Sequence, residues 1–270
     1  MKILVAIKQV PARDSRLFVE PSGAWIEEND LGYEVNEPDA YALEEALQLR
    51  EKHGGEVVAL CAGPERVSST IREALAKGAD RAIHILEDDL GSWDSLSLAR
   101  LLSKAAETEH PDLILTGLQS DDLGFGQTGV MMAELMGLPH VTLAMSIEVD
   151  SGRLRVKREL EGGWFQNVTM PLPALITIQS GISRLRYATL MGIKRAKTKE
   201  VRKLSAAELG VAPASGIFLR RVYAPHSQKH TQMLTGSAQE QAAQLVDQAQ
   251  LLPLLLVVVQ AESIEKHWFP

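Results

Sequence analysis

The stretch VKRELEGGWFQNVTMPLPALIT, residues 156–177, carries the strongest local structure signals in this chain of 270 residues. Its Gly162-Gly163 pair permits the positive φ angles that a tight connection between two strands requires. The two prolines that follow cannot donate to a β-ladder, so they belong before or at the start of a strand. The stretch therefore predicts a β-hairpin that leads into a short strand at Ala174–Ile178.

Before this stretch, apolar runs typical of buried strands alternate with segments typical of amphipathic helices. The predicted strands are Ile3–Ile7, Val57–Cys61, Arg81–Leu86 and Leu113–Thr116. The first predicted helix begins near Pro38. Three further helices are predicted at about Glu65–Lys77, Ser92–Glu107 and Gln127–Met136. This alternation predicts an α/β fold built on a doubly wound parallel sheet, in which ligands bind beyond the carboxyl ends of the strands.

From residue 141 onward, short strands joined by tight turns replace the alternation of strands and helices. The expected strands are Ala144–Val149, Arg153–Glu159, Phe165–Thr169 and Ala174–Ile178, and we expect them to form an antiparallel extension of the same domain. Four smaller elements are also expected: a hairpin at Phe18–Ile26, a loop with a short basic helix over Gly181–Lys203, a strand at Ile217–Val222 and a helix at Ser237–Gln248.

Two domains are expected from this reading. Residues 1–225 would form the α/β domain of the nucleotide-binding type. Residues 226–270 would form a C-terminal arm, made of a linker, the last helix and an apolar tail (251–270) that packs on a partner subunit.

Composition excludes several classes of protein. The formal net charge of −7 argues against a nucleic-acid partner, because phosphate contacts need a local excess of cations. The apolar run Leu251–Val259 is too short to cross a bilayer, and no signal core is apparent, so we expect a cytoplasmic chain without membrane insertion. The single cysteine, Cys61, lies in an apolar run and is expected to be a buried thiol.

One loop carries the residues best suited to ligand binding. It covers residues 117–127, contains Asp121 and Asp122, and leads into Thr128-Gly129 at a predicted helix start. Glycines let a backbone approach a phosphate, and the free N–H groups of a first helical turn bind anions. A plain glycine loop before a capped helix fits the same residues.

The sequence predicts neither a catalytic constellation nor a metal site. It contains no G-x-S-x-G nucleophile elbow. His226 and His230 have the spacing of two ligands on a helix face, but they follow Pro225 in a predicted linker and lack an intervening glutamate. A solvated loop is therefore expected at these histidines.

Six colinear segments resemble the β subunit of electron transfer flavoproteins. They are residues 156–177, KILVAIKQVP (2–11), NEPDAYALEEALQLRE (36–51), GPERVSSTIREALAKGADRAIH (63–84), GLQSDDLGFGQTGVMMAE (117–134) and RYATL (186–190). The resemblance implies an α/β fold of the adenine-nucleotide α-hydrolase-like, or HUP, type. It also implies an electron-carrier subunit that accepts electrons from acyl-CoA-type or other flavin dehydrogenases and passes them to an acceptor of the ETF-quinone oxidoreductase type.

The resemblance implies an AMP at the carboxyl edge of the sheet. The residues that match the family's AMP contacts are Ala6, Asn36, Ala62, Gly117, Asp122, Gln127, Thr128 and Gly129. The chain departs from the family's pattern at residues 123–126, where relatives carry acidic residues. Glu37, and an alanine at position 62 where relatives carry cysteine, are further departures. AMP, an empty site and a different occupant stay as alternatives.

The resemblance further implies FAD and two kinds of protein partner. An α subunit would form a heterodimer with this chain and hold most of the FAD, with Arg13 and Pro38 near the flavin. Partner dehydrogenases would contact a recognition loop near residues 184–203, where Leu190 is the apolar anchor and Tyr187 and Met191 lie beside it. The basic residues between 194 and 203 flank that loop and, by composition alone, form a solvated face.

Two other functions fit part of the sequence. A stand-alone adenine-nucleotide-binding sensor would use the same sheet, but it explains neither the stretch 156–177 nor the segment 186–190. An adenylating ligase would need a P-loop or a phosphate-gripping Lys/Arg motif, and the predicted sheet edge has no such motif.

Overall fold

The computed structural model describes residues 1–150, 152–214, 216–217, 219–225 and 233–247. The chain divides into two compact units, Met1–Tyr223 and Ala224–Pro270. His226 and His230, most of the predicted linker and the apolar tail 251–270 lie outside the described residues. The assignment of the second unit as an arm on a partner subunit stays a prediction. Within the described ranges, no helix has the length and apolar character needed to cross a bilayer.

The first unit contains eleven strands and five α-helices among its described residues. The strands are β1 (Lys2–Ala6), β2 (Gln9–Pro11), β3 (Tyr33–Val35), β4 (Glu56–Gly63), β5 (Arg81–Leu86), β6 (Leu113–Gly117), β7 (His140–Asp150), β8 (Arg153–Glu159), β9 (Phe165–Pro171), β10 (Ala174–Ile178) and β11 (Val201–Ser205). The helices are α1 (Glu37–His53), α2 (Ser68–Lys77), α3 (Ser95–Glu107), α4 (Thr128–Leu135) and α5 (Leu190–Ala196). Short 3₁₀ turns occur at Glu65–Val67, Leu90–Ser92 and Glu161–Gly163.

Nine strands form one mixed sheet in the order β11-β5-β4-β1-β6-β10-β7-β8-β9. The first seven strands of this order are parallel, and β8 and β9 run antiparallel at one edge. Apolar residues of α1, α2 and α5 cover one face of the sheet, and those of α3 and α4 cover the other. The predicted α/β class and doubly wound sheet are therefore confirmed.

One part of the predicted topology is wrong, because β10 does not belong to the antiparallel extension. It lies in the middle of the sheet, parallel to both β6 and β7, and all five of its residues are buried. A strand covered on both faces reads as a continuous apolar run, as ALITI does here. The extension consists instead of β7, β8 and β9, with the predicted hairpin between β8 and β9.

Several short elements differ from the sequence prediction. Strand β11 was not predicted; it pairs with β5 after the expected basic helix, which is α5. The predicted hairpin at Phe18–Ile26 is reduced to one bridge between Val19 and Ile26, and the neighbouring pair β2–β3 was missed. The predicted strand at Ile217–Val222 is wrong, because its described residues are in neither helix nor strand. The strands among these elements have only three to five residues. Whether such a short segment forms a strand depends on its pairing partner rather than on its local sequence.

The described part of the second unit contains the predicted helix, at residues 238–247. Its start is a capping box: the Ser237 hydroxyl accepts from the Glu240 amide at 3.4 Å, and the Glu240 carboxylate accepts from the Ser237 amide at 2.7 Å.

Candidate functional site

Three neighbouring parallel strands end in small residues, and their carboxyl ends define the candidate site. Ala6 ends β1, Gly117 ends β6, and Ala62 lies one residue before the end of β4. The starts of α1 and α4 and the loop 117–127 lie over these strand ends. We call this region, comprising residues 6–8, 36–39, 62 and 117–129, the sheet edge.

Asn36 fastens the loop 117–127 to the start of α1. Its side-chain amide donates to the Gln119 carbonyl at 2.9 Å, and its side-chain oxygen accepts from the Asp121 amide at 2.9 Å. The residue is 1% exposed, and its side chain makes no capping bond to α1. Asn36 therefore positions the predicted ligand loop, a structural role that the residue's match to the family did not specify.

Asp39 was not predicted, yet it joins three elements of the sheet edge. From the first turn of α1, its carboxylate accepts from the Lys8 amide at 2.8 Å and the Gly117 amide at 2.9 Å. Burial raises the pKa of Asp39 to about 7, although the hydrogen bonds it accepts and the Lys8 charge oppose the shift. No motif marks this aspartate, because a charge in the first turn of a helix is ordinary.

Two ion pairs hold the acidic part of the loop. The Lys8 ammonium lies 2.6 Å from the Asp122 carboxylate and 3.3 Å from the Ser120 hydroxyl. Burial raises the pKa of Asp122, but the Lys8 charge and hydrogen bonds outweigh it, so the pKa lies below its usual value. The exposed Arg13 guanidinium pairs with Glu37 and lies 3.4 Å from Asp121. The cations at this edge are thus neutralised by carboxylates of the chain itself.

The start of α4 comes very close to the strands beneath it. A Cβ at Gly129 would lie 2.6 Å from the Thr116 hydroxyl and 2.9 Å from the Thr177 methyl, so only glycine fits. Gln127 precedes the helix without a side-chain cap, which leaves the first amides of α4 available for an anion. The Thr177 hydroxyl is buried here and has no hydrogen-bond partner among the described residues.

Pro38 occupies a buried position at the start of α1, directly against Gly117. A Cβ at Gly117 would lie 2.3 Å from the Asp39 carboxylate and 2.7 Å from the Pro38 Cβ. The structure therefore brings Ala6, Asn36, Gly117 and Asp122, which match the family's AMP contacts, together with the start of α4. Pro38, expected near the flavin, packs beside Gly117, and Arg13 lies at the outer rim.

The predicted recognition loop lies at a different surface and is anchored to α1 by Arg186. The guanidinium forms bonds of 2.8 and 3.0 Å to Glu44 and of 2.6 and 3.2 Å to Glu51. The Glu44 side chain is almost fully buried. Burial raises the pKa of Glu44, but the hydrogen bonds from Arg186 and Gln48 and the Arg186 charge outweigh this effect, so the pKa lies below its usual value. We call residues 186–196 the docking loop.

Beyond this anchor, the docking loop exposes apolar side chains. Tyr187 is 93% exposed, Leu190 81% and Met191 56%. The loop is nevertheless held firmly, because the Thr189 hydroxyl caps α5 at the Gly192 amide, 3.0 Å away. A Cβ at Gly192 would lie 2.3 Å from the Ala76 carbonyl, so α5 packs closely on α2.

The basic run that follows is only partly a free solvated face. Lys199 donates to the Leu75 and Ala79 carbonyls at the end of α2, and Lys203 pairs with Glu65 at 2.7 Å. Arg202 lies 3.9 Å from Glu109. Lys194, Arg195 and Lys197 have no carboxylate partner among the described residues.

The stretch 156–177 forms a second exposed apolar surface. Gly162 and Gly163 adopt φ angles of 69° and 78° in the hairpin turn, as predicted. Next to them, Trp164 is 74% exposed and Phe165 is 47% exposed, with the Lys157 ammonium 4.0 Å above the Phe165 ring. This surface, which we call the hairpin tip, was not anticipated from the sequence.

Titratable groups give no sign of a metal centre in the described part of the chain, where no cluster of three potential ligands occurs. Cys61 is buried as expected, and burial raises the pKa of its thiol to about 12, with a smaller contribution from the Asp39 charge. The thiol is therefore protonated at neutral pH.

Comparison with known proteins gives consistent matches. The family model for the electron transfer flavoprotein domain matches residues 24–209. The chain is 37% identical over 256 residues to an electron transfer flavoprotein subunit beta of Methylophilus methylotrophus, covering 91% of this chain and 97% of the relative. It is 36% identical over 255 residues to the mitochondrial subunit beta of Oryza sativa subsp. japonica, covering 93% and 100%.

A subunit beta of Bacillus subtilis (strain 168) is 32% identical over 250 residues, which cover 91% of this chain and 96% of the relative. Since the family model spans residues 24–209, the similarity includes residues 36–39 and 117–129 of the sheet edge, the hairpin tip and the docking loop rather than one shared motif.

Proposed function

Because this chain belongs to the electron transfer flavoprotein family, we propose that it is the β subunit of a cytoplasmic, heterodimeric electron carrier without catalytic residues of its own. In this proposal, an α subunit holds most of the FAD, which supplies the redox chemistry. Electrons arrive from flavin dehydrogenases, including the acyl-CoA type, and leave to an acceptor of the ETF-quinone oxidoreductase type. This chain supplies the scaffold and the contact surfaces.

The observation that carries the proposal is the docking loop. A contiguous exposed apolar patch is typical of a protein contact site, and Leu190 lies between the exposed Tyr187 and Met191. A capped helix and the Arg186 anchor hold Leu190 in that position. A small apolar centre with Lys194 and Arg195 nearby suits a transient electron-transfer contact, which must form and dissociate quickly. We assign Leu190, Tyr187 and Met191 to the dehydrogenase contact.

The hairpin tip supports a second, separate protein contact, which we assign to the α subunit. Trp164 presents a large apolar side chain, and tryptophan is enriched among residues that dominate binding energy at stable interfaces. A chain that binds two proteins at once needs two such surfaces. The tip lies on the antiparallel edge of the sheet, whereas the docking loop packs on α2, near the opposite edge.

The sheet edge fits an AMP-type ligand. Its strand ends carry small residues, and the first turn of α4 offers amides to a phosphate. The Thr177 hydroxyl has no hydrogen-bond partner within the described ranges. We therefore propose that Ala6, Asn36, Ala62, Gly117, Asp122, Gln127, Thr128 and Gly129 surround the nucleotide. Asn36 and Asp122 would act through the loop, since the protein itself already uses their polar atoms.

Arg13 and Pro38 would contribute differently to the flavin environment. Pro38 is buried, so its proposed role is to fix the start of α1. The Arg13 guanidinium is 58% exposed and is available for direct contact. Glu37 and Asp121 accompany it, so a flavin at this rim would meet a charge close to neutral or negative rather than an isolated cation.

Co-expression with a candidate α subunit tests the subunit assignment. We expect a 1:1 heterodimer with a flavin absorbance spectrum, and one AMP per heterodimer released on denaturation and measured by chromatography. A Trp164→Ser variant should lower the yield of the yellow heterodimer. A colourless chain that is stable as a monomer and forms no complex would contradict the assignment, and heterodimers without nucleotide would contradict the AMP site alone.

Substitution of the apolar anchor tests the docking assignment. In the assembled heterodimer, Leu190→Ala should lower the rate of flavin reduction by an acyl-CoA dehydrogenase and its substrate by about thirtyfold or more, because hot-spot truncations cost at least about 2 kcal/mol. Leu135→Ala is the matched control, since Leu135 is 43% exposed on α4. Equal rates for both variants, across a panel of flavin dehydrogenases, would argue against the docking role.

A stand-alone adenine-nucleotide sensor is the second candidate, favoured by the sheet edge alone. It predicts nucleotide binding by the isolated chain, together with no loss of function in Leu190→Ala and Trp164→Ser.

A further inference from the structure

A polar cavity lies away from the sheet edge, between α2, β5, β11 and the end of α5. Its volume is about 160 Å³, which is below the several hundred Å³ typical of sites for drug-sized ligands. A cavity of this size holds a small ion rather than a nucleotide. We call it the His84 cavity.

The cavity is strongly cationic. Its charged lining consists of four cations and one carboxylate: Arg72, Lys197, Lys199, Lys203 and Glu65. Glu65 is already paired with Lys203. The hydrogen bond and the charge of Lys203 lower the pKa of Glu65, and His84 and Arg72 make smaller contributions in the same direction. Lys199 is occupied by two backbone carbonyls. Arg72 and Lys197 have no carboxylate partner among the described residues, so the lining has an uncompensated positive charge.

His84 gives this cavity an unfilled hydrogen bond. The ring lines the cavity and is fully buried, and its Nε2 lies 2.9 Å from the Gly63 carbonyl. Because a carbonyl only accepts, Nε2 carries the proton, and in the neutral ring Nδ1 has a free lone pair. Nδ1 is buried without a partner among the described residues. The site therefore needs both negative charge and a hydrogen-bond donor.

Few small anions meet both requirements. Sulfate and chloride supply charge but have no proton to donate near neutral pH. Hydrogen phosphate supplies charge and a P–OH group. A phosphate here would accept from Arg72 and Lys197 while donating to Nδ1, after the flexible lysine side chains around the ring rotate to admit it.

We propose that the His84 cavity is a binding site for inorganic phosphate. It is separate from the sheet edge. The cavity lies on the face of the sheet that α1, α2 and α5 cover, near the edge formed by β5 and β11. The proposal does not depend on the assignment of the chain as an electron carrier.

Calorimetric titration of the full chain with inorganic phosphate at pH 7 and constant ionic strength tests this site. We expect one saturable site per chain, with affinity at least about tenfold higher for phosphate than for sulfate. AMP should not compete, because it is too large for the cavity. No saturable binding at millimolar phosphate, or equal affinity for sulfate, would overturn the proposal.

Variants locate the binding. Arg72→Gln should weaken phosphate binding by about tenfold, whereas Arg100→Gln removes the same charge from α3, on the other face of the sheet, and should leave it unchanged. His84→Gln keeps a donor for the Gly63 carbonyl and replaces the ring Nδ1 by an amide oxygen at a different position, so it should reduce the preference for phosphate over sulfate. If Arg72→Gln binds phosphate like Arg100→Gln, or if Lys8→Gln at the sheet edge removes binding instead, the proposed site is wrong. Because Arg72 is exposed, its variant tests the site even if His84→Gln does not fold.

Discussion

The sheet edge and the docking loop are both built from loops beside α1, but they differ in whether their side chains bind other groups of the chain or remain exposed. At the sheet edge, Asn36, Asp39 and Asp122 are bound to other groups of the same chain. At the docking loop, the backbone is anchored while Tyr187 and Leu190 remain exposed. Substitutions at the edge should therefore cost stability, and substitutions of the exposed side chains of the docking loop should cost partner binding with little effect on stability.

The largest expected effect is at Asp39. Asp39→Ala leaves the amides of Lys8 and Gly117 without their acceptor, and each unsatisfied buried donor costs about 1–3 kcal/mol. We expect the free energy of unfolding, measured in urea at pH 7, to fall by about 3 kcal/mol. Asp88→Ala is the control, because Asp88 is exposed. A loss no greater than that of the control would show that the edge does not depend on this carboxylate.

A pH profile sharpens the same comparison. Burial raises the pKa of both Asp39 and Glu45 to about 7, so between about pH 4 and pH 7 the folded chain binds protons that the unfolded chain has released. Their contribution to stability is therefore fully present below about pH 4 and is lost progressively as the pH rises to about 7. Asp39→Asn should remove about 2–3 kcal/mol of this fall between pH 5 and pH 8.

Urea unfolding of wild type and Asp39→Asn at the two pH values gives this difference. Carboxylates whose pKa is lowered, such as Glu44 and Glu109, titrate below this window and do not contribute to it. Parallel profiles for the two proteins would mean that Asp39 is ionised throughout.

The close approach of α4 to the strands should be sensitive to one methyl group. Gly129→Ala places a Cβ within 3 Å of Thr116 and Thr177 and should lower the free energy of unfolding by about 1–3 kcal/mol. Gly32→Ala is the matched control, because its nearest neighbour would be 3.5 Å away and it has no positive φ. Thermal unfolding of both variants measures the difference. Equal melting temperatures would show that α4 can shift without cost.

The smallest expected effect is at the docking loop. Leu190→Ser should change the free energy of unfolding of the chain by no more than about 0.5 kcal/mol, because the side chain is 81% exposed. Denaturant unfolding of the chain without a dehydrogenase measures this. A loss above 1 kcal/mol would mean that Leu190 packs within the chain and that the contrast between the two regions is wrong.

Much of the fold was predictable because its signals are local. Arg81–Leu86 and Arg153–Glu159 form strands over the predicted residues, and α1 begins one residue before Pro38. What failed was the partner of each strand. The segment 174–178 was predicted as a strand but placed in the antiparallel extension, because turn signals give the order of strands along the chain and not their order in the sheet.

The small residues at the strand ends of the candidate site were predictable from the sequence. Its charged contacts were not. The family resemblance named the small residues of the strand ends, and the structure brings several of them together. It did not name Lys8, Asp39 or the Arg186–Glu44 pair, because these groups come from positions 31 to 142 residues apart and no local pattern links them.

The sequence by itself determined the alternation of elements, the glycine positions and the membership in a flavoprotein family, because propensity, backbone freedom and motif similarity are written in neighbouring residues. Only the tertiary structure decided that Asp39 lies buried between two strand ends, that β10 occupies the centre of the sheet, and that a cationic cavity surrounds His84. Burial and charge pairing depend on which distant segments come into contact. Those contacts form only when the strands pair and the helices pack on the sheet.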